Sequence, residues 1–260
     1  MTPLPKDEIA RTLIEAAQTR TAVAPLTDTY PDLDFDTAYE VQDALVAARV
    51  NAGAVVVGAK LGLTSRAKQL QMKVDRPLYG FLTDDMQIDT GESLECGRFI
   101  QPRCEPEIAF LLGDALAGAH VTAAHVLAAT EFVFPAVDVL DSRFAGYAFT
   151  FTDVIADNSS SAAFTLGGQA TDPEGIDLRL IGCSFEKNGQ LVATAAGAAV
   201  MGHPAASVAW MVRQLARRGR GLAAGQVVMA GALTEAVPVS PGDTVVARFD
   251  RLGTVELACR

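Results

Sequence analysis

Val55-Val56-Val57-Gly58-Ala59-Lys60-Leu61-Gly62-Leu63 marks the point where the chain changes character. Three β-branched residues in a row read as a strand, and that strand runs into a lysine flanked by glycines. The residues before it read as helix. Ile9, Leu13, Ile14 and Ala17 recur at helical spacing within 6–20. A second helix is expected near Thr37, where Thr37 and Glu40 form a capping-box pattern and Tyr39, Val41, Leu45 and Val46 supply apolar positions. Gly53 is expected to close it, and residues 25–36 read as a polar connection.

Beyond residue 54, short apolar runs recur at Ile108–Leu112, Phe132–Leu140, Leu178–Phe185, Gln226–Met229, Thr244–Phe249 and Thr254–Ala258. Turn signals rich in Gly, Pro, Asp and Asn lie between them, as in Lys187-Asn188-Gly189 and Pro241-Gly242-Asp243. One further helix is expected after His203-Pro204, with Val208, Met211, Val212 and Leu215 as its apolar face and Arg217-Arg218-Gly219 as its end. Helices first and strands later specify an α+β fold rather than a regularly alternating one. The expected division is an N-terminal helical part, 1–75, and a strand-rich part, 76–260, within one structural unit.

Composition narrows the class. The 260 residues are 50% hydrophobic and 20% charged, which excludes a disordered chain. The net charge is −10 with no basic block, a poor match to nucleic acid or to an anionic membrane surface. Cys96, Cys104, Cys183 and Cys259 are scattered without a CxxC, so they read as free thiols of a cytoplasmic protein and not as a zinc site. The N-terminus lacks the apolar core of a signal peptide, and the low-polarity stretch Leu191–Gly202 is too short to span a bilayer.

Two acidic segments carry the chemistry. In Arg103-Cys104-Glu105-Pro106-Glu107-Ile108, a strand would put Glu105 and Glu107 on one face, about 7 Å apart. Such a pair is either solvated at an edge strand, where Pro106 is tolerated, or bridged by a cation. Phe132–Leu140 is an apolar strand with Asp138 inside it; a buried carboxylate needs a metal or a positive partner such as Arg143. Three acidic oxygen donors suit Mg²⁺ or Mn²⁺ better than zinc. Lys60 reads either as a snorkelling side chain or as a buried cation facing an anionic substrate. Asp157-Asn158-Ser159-Ser160-Ser161 reads as a turn or cap, His203 as a helix start, and His120 and His125 as surface residues. No Ser-His-Asp order, P-loop or dinucleotide fingerprint is present.

Taken together, Lys60–Ser65, Glu105–Ala109, Pro135–Arg143, Ala156–Ser160, Gly202–Pro204 and Gly231–Leu233 resemble, in the same order, the 2-keto-4-pentenoate hydratase and 4-oxalocrotonate decarboxylase group of the fumarylacetoacetate hydrolase superfamily. The resemblance spans roughly residues 5–260. It implies an N-terminal helical part and a C-terminal mixed β-roll holding Mg²⁺ or Mn²⁺ on Glu105, Glu107 and Asp138, the last an Asp where Glu is expected. It further implies Lys60 and Ser160 as catalytic residues, and Leu61, Gly62, Arg143, Asn158, Gly231, Ala232 and Leu233 as substrate contacts. Hydratases of the group tend to read Pro-Asp-Phe-Gly where this chain reads Pro77-Leu78-Tyr79-Gly80, and Leu63–Met72 is also decarboxylase-like. The implied reaction is therefore metal-dependent decarboxylation of 2-oxo-3-hexenedioate to 2-hydroxypenta-2,4-dienoate, with Leu78 supplying an apolar wall. Water addition to the same dienoate, acylpyruvate C–C hydrolysis and a non-catalytic partner subunit are the alternatives. The group also implies a homo-oligomer and association with a related hydratase.

Overall fold

The computed structural model describes residues 4–71 and 74–260; Met72 of the Leu63–Met72 stretch and Met1–Pro3 lie outside the described residues. Three helices open the chain: α1 (Lys6–Thr19), α2 (Leu26–Thr29) and α3 (Phe35–Asn51). Strands β1 (Val56–Gly62), β2 (Leu78–Thr83), β3 (Ser93–Leu94) and β4 (Arg103–Leu112) follow, with α4 (Arg66–Gln71) after β1. Next come α5 (Ala123–Ala128), β5 (Thr130–Leu140), α6 (Phe151–Ala156), β6 (Ser161–Leu166), β7 (Gly182–Lys187) and β8 (Gln190–Ala196). The chain ends with α7 (Pro204–Arg217), β9 (Val227–Met229), β10 (Val237–Pro238), β11 (Thr244–Phe249) and β12 (Gly253–Cys259).

The strands form two sheets, an α+β arrangement. One runs β2-β1-β9-β4-β5-β6 with β10 also on β4, and the other runs β3-β12-β11-β7-β8. β1 lies within the first 75 residues yet is hydrogen-bonded to β2 and β9 beyond them. Apolar side chains such as Leu13, Leu45, Phe110, Phe185 and Val212 fill the interior, each contributing about 1.5–3 kcal/mol if fully buried. Among the described residues, no helix is long and apolar enough to cross a membrane.

Several local expectations need revision. α3 is capped by Asp34, whose carboxylate accepts the Thr37 N–H at 2.8 Å, so Thr37 lies inside the helix. Asp at the N-cap satisfies an orphan donor directly, which makes the Thr37–Glu40 pattern redundant. β7 begins at Gly182, not Leu178, and β4 reaches back to Arg103. β4 is central, not an edge: β5 pairs along its length, while β9 and β10 take 109–111 and 103–104 on its other side. Pro106 is tolerated there because neither short strand pairs with it. β2, β6 and β8 carry no clear alternation in sequence, β2 because all six of its residues are buried.

The helices brace the sheet where the site forms. Tyr39 of α3 stacks on Tyr79 of β2, with ring centroids 4.4 Å apart. Buried Gln42 donates to the Tyr79 and Ile155 carbonyls at 2.9 Å each, tying α3 to β2 and α6. His203 caps α7 as expected, its Nδ1 accepting the Ala205 N–H at 3.0 Å. Burial pushes its pKa down, favouring the neutral ring that such a cap requires.

Candidate active site

The carboxylates follow from strand register. Glu105 on β4 stands directly opposite Asp138 on β5, and Glu107, two residues on, stands opposite Ala136. Opposed residues and i, i+2 neighbours share a face, so the three acids converge over a small alanine. One oxygen from each lies within 4.8 Å of the others, and all three side chains are buried. Burial pushes the Glu107 carboxyl well above the usual range, and Asp138 and Glu105 push it further, while Lys60 and a backbone N–H pull it back.

Two groups offset this charge. Lys60 Nζ pairs with Asp138 Oδ2, both essentially inaccessible to solvent. The Gly231 N–H donates to Glu107 Oε2 at 2.7 Å. Lys60 is thus the buried cation and not a snorkelling one, and the Asp138–Arg143 alternative is excluded because Arg143 pairs with Asp157. Glu107 Oε1 is buried and accepts no hydrogen bond among the described residues. The unsatisfied buried oxygen of Glu107, within a set of three converging acids, suits a divalent cation with hard oxygen ligands.

Lys60 and Leu78 occupy a common face. Lys60 pairs with Gly80 and Gly62 with Leu78 across the β1–β2 ladder. Leu61 and Tyr79 therefore point to the opposite face, and Leu61 belongs to the hydrophobic core. Its side chain cannot share the Lys60 pocket, because successive strand residues alternate. Gly62 is needed for space: a Cβ there would lie 2.9 Å from both Leu78 Cδ1 and Ser159 Oγ.

Ser159 belongs to an irregular turn after α6. Asn158, Ser159 and Ser160 are buried and have φ of +49°, +57° and +54°. Left-handed conformation costs non-glycine residues roughly 1–2 kcal/mol each, so three in succession must be held by their surroundings. Asn158 is clamped to β2, accepting the Phe81 N–H at 2.8 Å and donating to the Phe81 carbonyl at 2.9 Å. Ser160 Oγ donates to Asp157 Oδ2 at 3.2 Å. Among the described residues the Arg143 side chain donates in four hydrogen bonds, to the Asp157 carboxylate and to the carbonyls of Asp141, Asp157 and Ser161. Arg143 and Asn158 are therefore engaged with the protein itself. Burial raises the Asp157 pKa to about 6 against the pull of Arg143.

The remaining candidates close the site. Gly231 has φ +111°, and a Cβ there would strike the Thr64 side chain. Ala232 and Leu233 are buried, and the Leu233 N–H donates to the Pro106 carbonyl at 3.0 Å. Sequence reasoning missed Asp157 and Thr64 as parts of this framework. Thr64 lay inside the Lys60–Ser65 motif, but nothing in the sequence linked it to Gly231.

This arrangement has counterparts. Residues 47–259 match the fumarylacetoacetate (FAA) hydrolase C-terminal family, and the chain belongs to it. Among its relatives, the 4-oxalocrotonate decarboxylase of Pseudomonas sp. strain CF600 is 44% identical over 90% of this chain and 88% of its own. The 2-keto-4-pentenoate hydratase of Paraburkholderia xenovorans LB400 is 40% identical over 98% and 95%. The solved 4-oxalocrotonate decarboxylase from Pseudomonas putida G7, complexed with magnesium and adipate, superimposes with a TM-score of 0.96 at 38% identity, covering 100% of this chain and 99% of that one.

Proposed function

We propose that the protein is a carboxy-lyase that converts 2-oxo-3-hexenedioate to 2-hydroxypenta-2,4-dienoate and CO₂. The observation that carries this reading is Leu78, a buried apolar side chain on the same sheet face as Lys60. Loss of the distal carboxylate as neutral CO₂ is favoured beside an apolar wall, whereas an acid there would repel the dianion. The similarity to the Pseudomonas decarboxylases supports it. Hydration of 2-hydroxypenta-2,4-dienoate is the second reading, supported by the 40% identical hydratase.

Glu105, Glu107 and Asp138 would hold Mg²⁺ or Mn²⁺, which supplies Lewis acidity toward the 2-oxo acid end of the substrate. Lys60, paired with Asp138, offsets substrate charge and stabilises the oxygen at C2 as the C5–C6 bond breaks and its electrons move through the conjugated chain. That oxygen then takes a proton to give the enol. Ser160 offers its hydroxyl oxygen to the pocket; Gly62 and Gly231–Leu233 shape it; Leu61 contributes through the backbone. We read the chain as one structural unit in which residues 1–75 brace the site, and as a cytoplasmic homo-oligomer able to associate with a related hydratase.

The test is a paired assay with Mg²⁺. CO₂ release from 2-oxo-3-hexenedioate without hydration of the dienoate supports the decarboxylase, and Leu78→Asp should then lower that release. Hydration alone would replace this reading with the second one. Magnesium binding with neither activity would overturn both.

A further inference from the structure

We propose that Arg143 and Asp157 are positioning residues that act through Ser160: they turn its hydroxyl proton inward, so that its oxygen offers lone pairs to an enol hydroxyl of the ligand. The proposal rests on the assignment of Ser160 to the substrate pocket. An ionised carboxylate only accepts hydrogen bonds, so the contact between Ser160 Oγ and Asp157 Oδ2 consumes the one proton that the serine hydroxyl owns. The outward capacity of that oxygen is then to accept.

Arg143 fixes this direction. Its Nε pairs with Asp157 Oδ1, its main-chain N–H donates to Asp157 Oδ2 at 3.3 Å, and a second guanidinium nitrogen holds the Asp157 carbonyl. The Asp141 N–H holds the Ser160 carbonyl at 2.9 Å, and Ser161 Oγ holds the Asn158 carbonyl at 2.7 Å. The serine is thus oriented by a planar fork that a lysine cannot reproduce. A 2-oxo diacid in its dianionic form carries no O–H or N–H. 2-Hydroxypenta-2,4-dienoate carries one beyond its carboxylate, the hydroxyl on C2. Ser160 is therefore matched to the 2-hydroxydiene, the product of decarboxylation and the substrate of hydration.

The experiment measures dissociation constants on the full-length, Mg²⁺-loaded protein for freshly generated 2-hydroxypenta-2,4-dienoate and for adipate, a diacid with no hydroxyl. The variants are Ser160→Ala, Arg143→Lys and the two combined. Each single change should weaken the 2-hydroxydienoate about tenfold and leave adipate within about twofold. The double variant should bind no more weakly than Ser160→Ala, because residues acting through one contact are not additive. If Ser160→Ala binds both ligands as the parent does, the pocket assignment falls and the proposal with it. If Ser160→Ala loses the 2-hydroxydienoate selectively but Arg143→Lys does not, or if their losses multiply, the assignment stands and the positioning role is overturned. Should Arg143→Lys unfold, adding Ser159→Gly, which accepts φ +57° without strain, gives a second background for the same readout.

Discussion

The carboxylate cluster and the Asn158–Ser160 turn are both buried and polar, and both are tied to the β1–β2 pair, through Lys60 and through Phe81, yet they are built in opposite ways. The cluster stands on regular strands, and its three acids meet because one register pairing and the alternation of side chains put them there. Its cost is electrostatic. The turn stands on backbone that L-residues avoid, and its cost is conformational. Each is relieved by a cation from elsewhere in the chain, Lys60 for the cluster and Arg143, through Asp157, for the turn. Regular structure thus places reactive groups without local strain, whereas an irregular segment needs dedicated bonds to hold it.

The largest effect should come from the cluster. Glu107→Gln keeps an acceptor for the Gly231 N–H but removes a charge, and Mg²⁺ affinity by calorimetry should drop at least about 100-fold. Unchanged affinity would mean the cluster is structural. Lys60→Met leaves Asp138 buried without its ammonium and should cost about 3–5 kcal/mol in chemical unfolding without metal. Saturating Mg²⁺ should recover much of that loss, since a ligand bound to the folded state stabilises it. A cost that metal does not reduce would place the cation elsewhere. Gly231→Ala should cost about 1–3 kcal/mol in thermal unfolding, because φ +111° and the Thr64 side chain both oppose a Cβ. The smallest effect tests the turn: Ser159→Gly should raise stability by up to about 1 kcal/mol, as glycine relieves the left-handed strain. A clear loss would show that Ser159 makes a contact worth more than the strain it carries.

The two regions also differ in how far they could be read in advance. Asp138 stood out because an acid inside an apolar strand pattern is costly, and Glu105 and Glu107 as a same-face pair that is either solvated or bridged by a cation; the family resemblance joined them to Lys60 in one site. Their partners were not readable. Arg143 lies five residues from Asp138 and looked a natural mate, but Lys60, 78 residues away, takes that place. Asp157–Ser161 has the composition of an ordinary exposed turn; burial and three positive φ values make it a framework element. β2 escaped notice because full burial removes the alternation that reveals a strand.

What the sequence determined alone was that the chain opens with helices and turns strand-rich after residue 54, the family, and that Asp138 sits in apolar surroundings, since these depend on local patterning, on ordered motifs and on the cost of charge in an apolar strand. The tertiary structure decided which cation serves which acid, that β4 is central, that Leu61 faces away from Lys60, and that Asn158–Ser160 winds left-handed. Those outcomes depend on strand register and on contacts between residues far apart in the chain, where one residue of slip reverses every side chain.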